Sequence, residues 1–369
     1  MSRRMPAEWE AHAAILMSFP RRAGDWGNLL KQVSQQYLAL VITIAEVTPV
    51  WLIVSDEAWF RDSIRSSPFA LDFTGANEIP TDSKLSRGQL AGDILIHEVT
   101  LYFMSTDDVW ARDFGPLTII ENGQVKLLDF TFNGWGNKYT AALDNTINQR
   151  LSVAGLFGNT PLETIPLVLE GGSIESDGQG TILTTSQCLL HPARNPELSQ
   201  DEITLLLRKY LGAKRVLYLD YGHLVGDDTD AHIDTLARFA APDTIIYQAC
   251  DDPTDAHYDS FQAMANQLAS FRQSNGAPYR LVPLPWYPPT YSQEDGRRLP
   301  GTYANFLITN GAIIVPGAGT QQDEAACLVL ATTFPGYRIL LIDAGFFLEQ
   351  HGSVHCMTMQ LPRIGKADD

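Results

Sequence analysis

Cysteine is scarce and unpaired in this chain. Cys188, Cys250, Cys327 and Cys356 are the four in 369 residues, and none stands at the short spacings of a zinc module or a disulfide framework. Reduced thiols are expected. Long apolar runs are missing too: no stretch reaches the roughly 20 residues that a membrane-spanning helix needs. The start, MSRRMPAEWEAHAAILMSFP, lacks a sustained apolar segment followed by a small-residue cleavage site. The expectation is a cytoplasmic protein with no membrane partner. Positive charge is also in short supply, with Lys+Arg 26 against Asp+Glu 43 and a formal net charge of −17. Such a field repels nucleic acid and anionic lipid, and it draws small cations to any cleft that focuses it. No low-complexity tract or Ser/Gly-rich linker divides the chain. The glycine-rich GGSIESDGQG lacks the Lys-Ser/Thr of a phosphate loop and opens a hairpin, so nucleotide binding is not expected. The chain reads as one domain over residues 1–369, and 45% hydrophobic content is enough to fill its core.

What the chain does contain is a repeated order of elements. WARDFGPLTIIENGQVKLLDF reads as a strand, an Asn122-Gly123 turn and a second strand. The helix LDNTINQRLSVAGLF and the buried strand LETIPLVLE follow it. The same order returns with turns at Asp177-Gly178, Pro242-Asp243 and Asn310-Gly311, each followed by an amphipathic helix and an apolar strand. Near the N-terminus, HAAILMSFP reads as a second hairpin strand without a first, followed by the helix LLKQVSQQYLALVITIAE and the strand VWLIVS. At the other end, HCMTMQLP reads as a first strand without a second, with Cys356 at its head. Pairing the two ends would complete a fifth unit and close a ring, which also removes exposed sheet edges. The predicted fold is therefore a five-bladed pseudo-symmetric α/β propeller. An open, doubly wound α/β sheet is the alternative that the same alternation allows. Residues from about Ser55 to Thr106 do not fit the period, and an inserted helix and strand are expected there.

The units begin with polar residues where apolar ones would be cheaper to bury. Trp110, Arg112 and Asp113 open one, Glu170 with Gly171 and Gly172 the next, His232 and Asp234 the third, Asn305 the fourth, and His355 and Cys356 the last. Each has an ordinary reading taken singly: a surface ion pair or turn cap for Asp113, a solvated strand end for Glu170, a structural histidine for His232, a small core residue for Cys356. Their common place in the repeat favours a shared pocket. A cysteine with a histidine points to nucleophilic catalysis. Two carboxylates suit the planar guanidinium, whose fixed N–H donors they can clamp so that its central carbon faces a thiolate. The expected reaction is attack by Cys356 on that carbon, with His232, oriented by Glu170, protonating the departing ammonia and then activating water. Asp113 and Asp234 hold the substrate charge. No metal and no organic cofactor is required. His351, His355 and Cys356 lie too close along a strand-like segment for a zinc site.

DDVWARDFGP, DFTFNGWGNKY, LEGGSIESDG, GDDTDAHIDTLARF, LPGTYANFLITN and HGSVHCMTMQLP, in that order and over nearly the whole chain, resemble the agmatine deiminase family, relatives of the bacterial peptidylarginine deiminases. The resemblance implies hydrolysis of agmatine to N-carbamoylputrescine and ammonia, a place in polyamine synthesis, and a homo-oligomer, with a dimer favoured. By the same resemblance Asp113 and Asp234 bind the guanidinium, while Glu170, His232 and Cys356 are catalytic. Asp228 lies where a glutamate of the family approaches the far amine, one methylene shorter here, and Trp110 lines the substrate's methylenes. The segments DTDAHIDT and GSVHC depart from the family's ETNGHVDN and GGNIHC, which bears on selectivity for the tail. The alternatives are a deiminase of arginine or peptidylarginine, with Arg112 and Arg298 as candidates for a substrate carboxylate, and a propeller that binds a cation without turning it over.

Overall fold

Five separate mixed sheets, built on one plan, make up the protein in a computed structural model that describes residues 3–67 and 97–363. In each, two strands pair antiparallel and the second pairs parallel with a third. A parallel pairing needs a long crossover. Here a helix supplies it each time: Leu30–Ala45, Ile147–Val153, Gln200–Leu211, Tyr258–Ser270 and Gln321–Thr333. The Gln200–Leu211 helix illustrates the local causes. Ser199 caps it in a reciprocal box with Glu202, and Ile203, Leu207 and Leu211 form its buried stripe.

In four of the sheets the first pairing is a hairpin whose turn the sequence marks. Leu117–Glu121 and Gln124–Thr131 flank Asn122 and Gly123, both at positive φ (52° and 80°). That twist matches the strands it joins. Ala237–Ala241 pairs with Thr244–Gln248 and Leu307–Ile308 with Ala312–Gly317, around the expected turns. Ile174–Ser176 and Thr181–Thr185 pair around a longer loop in which Asp177 Oδ1 accepts from the amides of Gln179 (2.7 Å) and Thr181 (2.8 Å). The two chain ends also meet as expected: Met359–Pro362 runs antiparallel to His12–Ser18, which is parallel to Val50–Val54. The inserted helix and strand are Glu57–Arg65 and Val99–Phe103, the latter a fourth strand of that sheet.

Two features differ from the sequence reading. Cys356 does not head a strand, because residues 354–357 form turns and the strand starts at Met359. Bonds to loops hold this segment off a ladder: the His355 amide donates to the Asn305 carbonyl (3.1 Å), and the Arg112 amide donates to the Cys356 carbonyl (3.0 Å). The second feature is a two-residue strand, Arg3–Arg4, on the edge of Leu117–Glu121. It is too short to leave a periodic signal, yet it directs the following segment, with Glu8, inward. No helix among the described residues is long and apolar enough to cross a membrane.

Candidate active site

Each of the five sheets delivers one group of polar residues to the same place, just ahead of its first hairpin strand. Asp113 stands on a single helical turn, Ala111–Phe114. Glu170 immediately precedes the one-turn helix Gly171–Ser173, and His232 precedes Ile233–Thr235, which carries Asp234. Asn305 and Cys356 come from the remaining two approaches. A one-turn helix swings its side chains off the strand axis, so these groups point inward.

The contacts close a compact cluster. Cys356 Sγ lies 3.2 Å from Asn305 Nδ2 and 3.7 Å from Asp234 Oδ2. Across the cluster, Asp113 Oδ1 accepts from the Gly172 amide (3.0 Å) and Oδ2 from the Trp135 indole (2.9 Å), and Oδ1 stands 3.6 Å from His232 Nδ1. Gly172 is needed for this approach: a Cβ there would sit 2.7 Å from His232 Nδ1, 2.8 Å from Asp113 Oδ1 and 3.0 Å from Asp234 Oδ2. Asp234 Oδ1 and both ring nitrogens of His232 are buried without a hydrogen-bond partner among the described residues. Natural interiors satisfy nearly all such atoms, so three together in one place are unusual.

Glu170 is placed differently from expectation. Both its oxygens face Arg194 Nε (2.9 and 3.0 Å), and Arg194 reaches on to Asp230 (2.7 Å) and the Thr229 carbonyl (2.8 Å). It makes no hydrogen bond to His232. It remains close enough to act through charge, because a Glu170 oxygen, Cys188 Sγ and a His232 nitrogen lie within 4.8 Å of one another. Cys188, read from the sequence as core, is thus a neighbour of His232. This trio, and a second one of Glu8, Glu175 and His355, have the residue types of a cation site. In each, however, a buried guanidinium already neutralises the carboxylates, Arg194 in the first and Arg238 in the second. A divalent cation would have to stand beside that charge.

Electrostatics follow from burial. The Cys356 thiol is pushed well above its usual range by burial and then by Asp234 and Asp113. Burial raises Asp113 to about 6, although His232 pulls the other way. Burial alone would lower the imidazole of His232, but Asp113, Cys188 and Glu170 outweigh it and raise it well above the ordinary value. Asp234 resists burial because His355, bonded to it, lowers it.

A narrow cleft of about 20 Å³ leads outward from the sulfur, with Trp110, Asp113, Asp228 and Asp108 among its walls. Its outer part is acidic. Burial raises both Asp108, to about 7, and Asp228. Tyr139 donates to Asp228 Oδ2 (2.7 Å), and His351 Nε2 is 4.0 Å from the same oxygen. No arginine or lysine lines the cleft among the described residues. Arg112 is buried behind it, paired with Glu8 (2.9 Å), and Arg298 pairs with Asp255 (3.1 Å). Sequence reasoning found Cys356, His232, Asp113, Asp234, Asp228 and Trp110 on this cleft or against it. It missed Asp108, Cys188 and Arg194, which carry no signal in the repeat, and it named His351 only to set aside a zinc site.

Comparison with known proteins adds the following. The profile of the Porphyromonas-type peptidyl-arginine deiminase family matches residues 4–362. The agmatine deiminase of Ectopseudomonas mendocina is 32% identical over 381 aligned positions, covering 97% of this chain and 95% of the relative. A crystal structure assigned provisionally to the peptidyl-arginine deiminases is 40% identical with a TM-score of 0.87, covering 98% of this chain and 99% of that one. A cysteine-to-serine variant of C. jejuni agmatine deiminase, solved with substrate bound, is 34% identical with a TM-score of 0.85, covering 99% and 97%.

Proposed function

Since the chain belongs to the Porphyromonas-type peptidyl-arginine deiminase family, we propose that it is an agmatine deiminase working through Cys356. The observation that carries the proposal is the cluster of unpartnered polar atoms beside a buried thiol: Asp234 Oδ1 and the two His232 nitrogens, with Asp113 across from them. Guanidinium N–H groups would satisfy the carboxylates in two directions and bring the central carbon over the sulfur. The substrate also supplies the missing charge. A cation held between Asp113 and Asp234 lowers the thiol's pKa, so the thiolate forms when substrate is present.

The thiolate then attacks the guanidinium carbon. Protonated His232 gives its proton to the departing nitrogen, the C–N bond breaks and ammonia leaves, with a thiouronium on Cys356. His232, now neutral, takes a proton from water. The resulting hydroxide attacks the same carbon, and the C–S bond breaks to release the thiolate and the ureido product, the hydroxyl proton leaving to solvent, where ammonia takes it up. Glu170 supports the imidazolium through charge rather than by a hydrogen bond. The five sheets, on this reading, are the blades of one propeller with the cluster at its centre. A cytoplasmic homodimer in polyamine synthesis belongs to the same proposal.

The tail favours an amine. Asp108 and Asp228 line the outer cleft, with Trp110 beside them for the methylenes, and the two arginines that might meet a carboxylate are paired elsewhere. A carboxylate placed among these acids would be repelled by several kcal/mol. A substrate panel with ammonia detection and product identification tests this. Agmatine should give N-carbamoylputrescine, with arginine at least about a hundredfold lower in kcat/KM. Release from arginine or peptidylarginine but not from agmatine contradicts it.

A further inference from the structure

We infer that His355, the neighbour of Cys356, is a positioning residue that fixes and keeps ionised the Asp234 carboxylate through its Nδ1–H. The inference rests on the guanidine-hydrolase reading for the role of Asp234, but the geometry stands apart from it.

Asp234 Oδ2 lies 2.7 Å from His355 Nδ1, the one N–H donor to this carboxylate among the described residues. Its other oxygen, Oδ1, is the one without a partner. A carboxylate tied by one oxygen has its second aimed, so His355 determines where the substrate meets an acceptor. The imidazole is itself held on every side. Its backbone amide donates to the Asn305 side chain (3.0 Å), and its carbonyl accepts from Thr358 Oγ1 (2.9 Å). At the far edge, Nε2 is 2.9 Å from an Arg238 nitrogen and 2.8 Å from Glu8 Oε1. Nε2 thus meets both a donor, Arg238, and an acceptor, the Glu8 carboxylate, so the hydrogen on Nδ1 is called for by the other edge, where the ionised Asp234 carboxylate can only accept. Glu8 holds Arg238 in place and pairs with Arg112 as well. An N-terminal residue therefore reaches the reacting sulfur through Arg238, His355 and Asp234.

The charges around the pair come from several elements. Facing His355 are Glu8, Arg238, Arg112 and Asp234, with Glu175 behind Arg238 and His12 near Glu8 and Arg112. Facing Asp234 from the other side are His232, Asp113 and Cys356. Burial and then the two arginines lower His355 below its ordinary value, which agrees with a neutral ring at working pH. Burial would raise Asp234, yet His355 brings it below its ordinary value.

Two substitutions separate positioning from packing. The amide nitrogen of Asn can overlay Nδ1, and that of Gln can overlay Nε2. His355→Asn should keep kcat/KM for agmatine within about tenfold of wild type with the acid limb of its pH profile unmoved. His355→Gln should raise KM by more than about tenfold with kcat changed much less, because Asp234 loses its donor, while the acid limb set by Asp113 stays in place. Equal losses of kcat/KM in both variants would indicate a packing role and overturn the inference, as would two variants that match wild type. In the wild-type protein, ¹⁵N NMR of the histidines, with His355 assigned by its loss in H355N, should show an Nδ1–H ring at neutral pH. A ring with its one hydrogen on Nε2, which leaves Asp234 without a donor, overturns the inference. This readout remains if H355Q does not fold. If wild type releases no ammonia from agmatine, the substrate reading fails alone. The same comparison then runs on inactivation of Cys356 by chloroacetamidine, which needs Asp234 but no tail.

Discussion

Asp113 has its carboxyl raised to about 6 because burial outweighs the attraction of His232. It must be ionised to accept a guanidinium, so kcat/KM for agmatine should fall as pH drops through about 6. His232 must be protonated to release ammonia, and it is raised well above its usual value, so the alkaline limb should lie well above neutrality. A pH profile of kcat/KM checks both limbs, and activity undiminished well below pH 6 would remove Asp113 from substrate binding. At this scale the sequence was readable where chemistry and repeat position coincided, at Cys356, His232, Asp113 and Asp234. Glu170 was readable as a residue but not in its contact. Its partner, Arg194, lies in a loop with no periodicity to mark it, and a guanidinium on that carboxylate competes with the imidazole that was expected there. Cys188 looked like any small core residue because burial is common to both roles.

Short elements, rather than the long ones, bring the site together. Gly171–Ser173 is a single turn, and its Gly172 has its Cα against Asp113, His232 and Asp234. Gly172→Ala should therefore push a methyl against Asp113, His232 and Asp234, groups that approach from two different sheets. The expected outcome is a drop in kcat of about a hundredfold or more, since misplacement by about 1 Å costs that much, in a protein whose far-UV circular dichroism is unchanged. Near-normal kcat would mean that the three groups need not approach so closely. Strands and crossover helices were legible from Asn-Gly turns, caps and apolar spacing. The one-turn helices were not, because three or four residues carry no helical period. Sequence reasoning placed their residues at strand starts instead, right for their order along the chain and wrong for their local geometry.

For the molecule as a whole, the meeting of the two chain ends sets the position of Cys356, the proposed nucleophile. Leu361, fully buried, pairs with Ala14 only five residues after Cys356. Leu361→Ala should cost about 2–5 kcal/mol of stability, read from denaturant unfolding, and lower kcat alongside. An unchanged midpoint would show that this pairing does not hold the fold. The pairing of the ends was legible because each lacked the strand that the other supplied. The Arg3–Arg4 strand and the inward path of Glu8 were not, since they follow from tertiary contacts rather than from any local pattern. The net charge of −17 fits a cationic substrate at this scale, but the chemistry rests on the sulfur. Intact-mass spectrometry of protein quenched during agmatine turnover tests that most directly. The account predicts an adduct equal to agmatine less ammonia on Cys356, absent in Cys356→Ser, which should release no ammonia. Ammonia release by Cys356→Ser at the wild-type rate would contradict it.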